Sequence, residues 1–236
     1  ELNCHNNYLT SLKINDCRNL KVIYCSLNRF TTLELSNLVE LKKLISFNGH
    51  LTQIPILPNP EKITELVIRN NNIKPSDLTI FSQFKNLENL RIGNDDKNRI
   101  QQGIYNRFHD SLEPLKNLNK LKSLDISNTD IESGLEYLPD SINSFYCSTT
   151  VKRDAKCKTI YNLFANDQGE VEIYEICGKI HIKNLSQKLK EYKQKIIKQK
   201  AGEVLKDEFQ ALEDKHQKEL QLEREELEKA LQASQK

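Results

Sequence analysis

Apolar positions along this chain recur at a regular interval. Leu2-x-Cys4-x-x-Asn7-x-Leu9-x-x-Leu12 is followed by Ile23-x-Cys25-x-x-Asn28-x-Phe30-x-x-Leu33, then at the same offset by Leu44-x-Ser46-x-x-Gly49-x-Leu51-x-x-Ile54. Leu66-x-Ile68-x-x-Asn71-x-Ile73 and Leu90-x-Ile92 follow at slightly longer offsets. Leu124-x-Ile126-x-x-Thr129-x-Ile131 comes after a wider gap, and Phe145-x-Cys147-x-x-Thr150 returns to the first offset. Each block opens on a period-two pair, which points two side chains inward from a short strand. The Asn at 7, 28 and 71 falls where the chain leaves that strand. There its amide can bond the backbone groups that a buried turn leaves unpaired. One block cannot bury its own apolar edge, so stacked neighbours must supply the core. This predicts a repeat domain over residues 1–150 with about seven coils.

The returning side has a pattern of its own. Leu12-x-Ile14-x-x-Cys17-x-x-Leu20 recurs as Leu33-x-Leu35-x-x-Leu38-x-x-Leu41. A coil this short has no room for a full return helix, so extended chain or a single helical turn is expected there. Pro55 and Pro58 forbid a helix where they stand. Between Leu90 and Leu124 the spacing exceeds the others by roughly eleven residues, as expected for a solenoid insertion. If Asn106-x-Phe108 supplies the missing turn, the insertion runs from Asp95 to Tyr105, with Asp95, Asp96, Lys97, Arg99 and Tyr105 as its candidate contact residues. Solenoid insertions often serve binding; a tolerated surface loop is the equally weighted alternative.

Beyond the repeats the period changes. Val151, Ala155, Ile160, Leu163 and Phe164 read as an amphipathic helix covering the last coil, and Val171, Ile173, Ile180 and Ile182 alternate as in a hairpin. Residues 151–184 are therefore assigned as a C-terminal cap. From Leu185 the stripe Leu185, Leu189, Tyr192, Ile196 marks a Lys-rich helix. Leu205, Phe209, Leu212 and His216 continue at heptad spacing, with Leu220, Leu227 and Leu231 one residue out of step. Residues 185–236 thus form a charged helix and a coiled-coil candidate, with Leu205, Phe209, Leu212, Leu220 and Leu227 as its assembly positions and a homodimer as one outcome.

The stretch Leu20-Lys-Val-Ile-Tyr-Cys25-Ser-Leu-Asn28-Arg-Phe-Thr-Thr-Leu-Glu-Leu35-Ser-Asn-Leu38 resembles the 21-residue leucine-rich repeats. Ser111 to Ile131, Gly134 to Ile142 and Thr159 to Phe164 are similar to a group of uncharacterised fungal leucine-rich-repeat proteins, expanded in mycorrhizal fungi, in which the repeats precede a Lys- and Glu-rich coil. The resemblance covers essentially the whole chain. It implies an α/β leucine-rich-repeat solenoid, a horseshoe with a helical cap and a long C-terminal helix, and it implies intracellular protein interaction. It carries no catalytic residues. Gly49, Thr129 and Thr150 depart from the usual Asn of these repeats.

In such repeats the residues beside the inward pair face a concave sheet. Tyr24, Ile45, Phe47 and Val67 are apolar at those positions, and Arg69 and Arg91 border them. Aromatic and aliphatic residues rimmed by Arg suit a partner-binding patch. The alternative is that neighbouring apolar side chains simply cover one another.

Charge sharpens the division of the chain. The net charge is +2, with 29% charged and 37% hydrophobic residues. Residues 1–182 balance, 183–200 carry a net +6 and 203–236 a net −4. No run of eighteen apolar residues exists, so no membrane span is expected. Cys4, Cys25 and Cys147 share one repeat position, where Cys acts as a small hydrophobe. With no CxxC pair, this predicts reduced thiols and a cytoplasmic location. The histidines at 5, 50, 109, 181 and 216 are scattered, and seven glycines build no phosphate loop. No catalytic residue, metal site, cofactor or small-molecule substrate is expected. The chain has no Met, and a repeat already begins at Leu2, as expected of a piece cut from a longer protein.

The leading expectation is an interaction or scaffold module that binds a protein on its strand face, with helix-mediated assembly. Two others stand beside it. One is a recognition arm of a larger kinase, GTPase or ubiquitin-ligase system. The other is binding of an acidic surface through Lys188, Lys190, Lys193, Lys195, Lys198 and Lys200, although nucleic acid is not the expected partner.

Overall fold

The computed structural model describes residues 1–14, 17–165, 170–176 and 179–234. The chain divides into two compact units, Glu1–Leu189 and Lys190–Lys236.

Every block of the repeating pattern begins a strand. These are β1 (Leu2–Asn3), β2 (Val22–Tyr24), β3 (Lys43–Ile45), β4 (Glu65–Val67), β5 (Asn89–Arg91), β7 (Ser123–Asp125) and β9 (Ser144–Tyr146). They form one seven-stranded sheet in that order, parallel throughout. The register follows the spacing: Ile23, Leu44, Leu66, Leu90, Leu124 and Phe145 lie level in adjacent strands, and all six are buried. Cys25, Ile68, Ile92, Ile126 and Cys147 form the second inward row. Backbone bonding continues past the assigned strand ends, as from Cys25 N to Ile45 O at 2.8 Å and from Ile92 N to Asp125 O at 3.0 Å.

The connections return through extended chain and four 3-10 turns, Pro60–Lys62, Thr79–Gln83, Glu113–Leu115 and Leu135–Tyr137. Two of them carry a proline in the first turn, whose fixed φ suits a first helical position and whose missing N–H is not needed there. They bury Leu35, Leu38, Leu41, Phe81, Phe84, Leu87, Leu115, Leu118, Leu121 and Leu138 against the inward rows. Phe81 packs at 6.0 Å from Phe84 and 5.8 Å from Phe108 between ring centres. A second parallel pair, β6 (His109–Ser111) with β8 (Asp130–Ser133), runs on this side. Isolated parallel bridges join Glu34 to Ile56 and Ser76 to Phe108.

The expected α/β leucine-rich-repeat horseshoe with a helical cap is corrected by this arrangement. The first unit is a mostly parallel seven-stranded sheet with few helices, and no closed solenoid forms among the described residues. The reason lies in the return segments. A horseshoe bends because helices on one side, packed about 8–10 Å apart, take more room than strands about 4.8 Å apart on the other. Here the return chain is extended or a short 3-10 turn, and in three places is bonded to its neighbour as strands are. No row of return helices is present among the described residues to force that bend.

The segment after β9 holds less helix than its apolar pattern suggested. Only α2 (Lys158–Asn162) is helical, while Ala155, Cys157, Ile160 and Phe164 are buried and Leu163 is exposed. Phe164 lies 6.0 Å from Phe145, the inward side chain of the last strand. An antiparallel pair, β10 (Ile173–Ile176) and β11 (Lys179–Ile182), follows. Gly169, Cys177 and Gly178 lie outside the described residues. The helix α3 (Leu185–Ser234) then begins, with Leu185 and Leu189 buried in the first unit. In the second unit every described side chain from Ile197 to Lys218 is exposed. No helix among the described residues is long and apolar enough to cross a membrane.

Candidate functional site

Two sets of residues converge at the end of the sheet where the strands exit. One is the outward row of the strands, and the other is the series of turns that follow them.

Strand register places Tyr24, Ile45, Val67, Arg91, Asp125 and Tyr146 in one outward row. Phe47 and Arg69 stand two residues beyond the ends of β3 and β4. The six patch residues of the sequence reading are thus brought together on one face. Their exposure differs: Ile45 and Val67 are only 9% and 6% accessible, so their neighbours already cover them. Tyr24, Phe47, Arg69 and Arg91 remain half-buried. The Arg69 guanidinium lies 5.0 Å above the Phe47 ring, and the His5 ring lies 6.0 Å from the same phenyl. A guanidinium over an aromatic face is attracted by the ring quadrupole. Arg91 Nε donates to Asn89 Oδ1 at 3.3 Å. Toward β9 the face changes to small and polar residues: Gly93, Ser123, Ser127, Ser144 and Ser148. An added Cβ at Gly93 would stand 2.7 Å from both Asp125 Oδ1 and Ser127 N, so only glycine fits beneath that carboxylate.

The exit turns share one geometry. Asn6, Leu27, Asn48, Asn70 and Asn128 each have φ between 51° and 57°, the left-handed region, one residue before each ladder position. Asn tolerates this conformation, whereas Leu27 does so at a cost. Next comes the bridging amide. Asn28 Nδ2 donates to Cys4 O at 2.8 Å and Cys25 O at 3.1 Å, and its Oδ1 accepts from Leu9 N at 3.0 Å. Asn71 repeats this with Ser46 O, Ile68 O and Leu51 N. Gly49 has no such amide, and its backbone sits so close that a Cβ would meet Asn71 Oδ1 at 2.7 Å. At Thr129 a hydroxyl donates to Ile126 O at 2.6 Å instead.

The segment Asp95–Tyr105 folds back along these turns. Asp95 pairs with Arg69 and accepts from Asn70 Nδ2. Asp96 caps the short helix α1 (Lys97–Gln101) by accepting from Arg99 N at 3.1 Å. The Arg99 side chain reaches the Gly49 carbonyl, fifty residues back in the chain, while its buried Nε has no partner. Burial lowers the Arg99 pKa from its ordinary value. His50 is lowered by burial and by the neighbouring Arg99 and Arg29. Lys97 is exposed, and Tyr105 lies under Arg107 at 4.5 Å.

Sequence reasoning offered Asn106 as a conditional turn residue but missed the partners it meets at the neck of this segment. Asn106 N donates to Asn94 Oδ1 at 2.8 Å, Asn94 Nδ2 donates to Asn106 O at 2.9 Å, and Asn128 Nδ2 donates to Asn94 O at 2.5 Å. All three asparagines are buried. The available signal was the run of Asn before ladder positions, at 6, 48, 70 and 128.

Burial raises the Cys25 thiol to about 12 and that of Cys157 to about 11, so neither supplies thiolate near neutrality. Cys4, Cys17, Cys25, Cys147 and Cys157 are all free. Among the described residues no three His, Cys, Asp or Glu side chains gather to hold a metal ion. An open cleft of about 370 Å³ holds Asp77, Asp110 and Glu113, but Asp110 contacts His109 at 2.9 Å and Glu113 contacts Lys116 at 3.1 Å. In α3, Leu205, Phe209 and Leu212 are exposed, and Leu220 and Leu227 are described only as helical positions. No protein-family model and no curated protein matches this chain.

Proposed function

We propose that this chain is a protein-interaction module without catalytic activity of its own. It receives a partner on the outward strand face and assembles through α3. The observation that carries this reading is the Arg69 guanidinium stacked 5.0 Å above Phe47 beside half-buried Tyr24. Aromatic and Arg side chains held in place before binding lose little conformational freedom when a partner arrives, which is why such residues dominate interface energies. Ile45 and Val67 form the floor beneath them, and Arg91 offers a charge-assisted donor at the edge. The Asp95–Tyr105 segment fixes Arg69 and bounds the patch on the exit side.

Five free thiols support a reducing compartment, and we place the protein in the cytoplasm on that ground. The test is affinity capture after in-cell crosslinking, comparing the natural chain with Tyr24→Ala/Phe47→Ala. Proteins recovered with the natural chain fall at least about tenfold with the variant, as removal of two anchors implies. Equal recovery with an unchanged unfolding curve overturns the strand-face reading.

A further inference from the structure

Leu205, Phe209 and Leu212 are 65%, 65% and 66% exposed along a helix that presents no other long apolar stripe in its described second-unit portion. They lie at the midpoint of α3 (Leu185–Ser234), with Phe209 as far from one end as from the other to within a single position. Charge is arranged about the same point. Lys190, Lys193 and Lys195 stand as far before Phe209 as Glu228, Glu225 and Glu223 respectively stand after it.

We propose that the partner of α3 is the α3 of a second copy of this chain, aligned antiparallel about a two-fold axis at Phe209. The proposal rests on the assembly half of the function proposed above and names its partner and orientation. Residues 183–200 carry a net +6 and residues 203–236 a net −4, so two antiparallel helices crossing at Phe209 lay the Lys-rich end of each along the Glu-rich end of the other. The apolar stripe of each copy then covers that of the other, removing Leu205, Phe209 and Leu212 from water. A parallel pair would instead set the Lys-rich segments against each other and the Glu-rich segments against each other, and like charges side by side disfavour that arrangement. A second copy with the same segregated charge meets these requirements with no third component.

The experiment uses the full chain in sedimentation velocity, with helix content followed by circular dichroism. The natural chain self-associates to a dimer, and added salt weakens it because attraction between the oppositely charged ends is screened. Lys190→Glu/Lys193→Glu/Lys195→Glu sets acid against acid at both ends and weakens dimerisation at least about tenfold. Adding Glu223→Lys/Glu225→Lys/Glu228→Lys to the same chain restores the dimer, which separates charge pairing from damage to the helix. A natural chain that stays monomeric at about a hundred micromolar, where even weak coiled coils pair, overturns both the dimer and the assembly reading. A dimer that ignores the triple Lys reversal overturns the antiparallel orientation alone. Neither result touches strand-face binding, which is read by capture with the Tyr24 and Phe47 variant.

Discussion

At the exit of β4 the bridging amide belongs to Asn71, four residues beyond Val67. At the exit of β5 it belongs to Asn106, fifteen residues beyond Arg91. The bonds are nevertheless the same. Asn71 Nδ2 donates to a carbonyl of its own strand, Ile68 O at 2.9 Å, and of the preceding one, Ser46 O at 2.7 Å. Asn106 Nδ2 does so with Ile92 O at 3.0 Å and Ile68 O at 2.8 Å. Each Oδ1 accepts from the returning chain before it, from Leu51 N in one case and Ile73 N in the other. Buried backbone groups must find partners, and what satisfies them is a side-chain amide at a point in space, not a residue at a fixed interval. The eleven-residue detour costs little because Asn94 and Asn106 bond across its neck, so the loop beyond is closed locally.

The sharpest way to break this comparison is to remove both amides separately. Asn106→Ala leaves Ile73 N and the Ile92 carbonyl unpaired in the core, while Ile68 O keeps its bond from Asn71, and lowers stability by about 3 kcal/mol. Asn71→Ala lowers it by a similar amount, within about 1 kcal/mol. Urea unfolding of both variants checks this. A loss at Asn106 far below that at Asn71 would mean the detour has replaced the turn rather than rebuilt it.

Gly93, just before the detour, gives the next largest effect. Gly93→Ala places a Cβ against Asp125 Oδ1 and the Ser127 backbone and costs about 2 kcal/mol, read as a drop in thermal midpoint. Gly49 tests the turn that lacks an amide. Restoring the pattern with Gly49→Asn lowers stability by about 1.5 kcal/mol, because its Cβ meets Asn71 Oδ1. A gain would instead make Gly49 a simple gap in the series. The smallest effect is favourable. Leu27→Asn relieves a left-handed Leu at φ 55° and raises stability by ~0.5 kcal/mol or somewhat more, measured as a shift in the urea midpoint.

Strand positions were legible in advance because inward pairs such as Ile23 and Cys25 must alternate with outward residues, whatever the neighbours do. Asn106 was legible as a conditional replacement, through the Asn106-x-Phe108 spacing. The amide cluster of Asn94 and Asn128 was not. Those residues are 34 apart in the chain, and only pairing of β5 with β7 brings them together. The horseshoe came with the family resemblance and failed on the return segments, whose bonding to each other no single repeat displays. The patch was legible as a set of positions, but the cover over Ile45 and Val67 and the stack of Arg69 on Phe47 were not.

The sequence by itself determined the strand places, the inward rows and the segregation of charge along 183–236, since each depends on spacing along one chain. Only the tertiary structure decided which asparagine closes which turn, where Asp95–Tyr105 lies and which patch side chains stay accessible. Those outcomes depend on groups from different strands meeting in space, and the energy of a buried hydrogen bond or a covered side chain is set by that meeting.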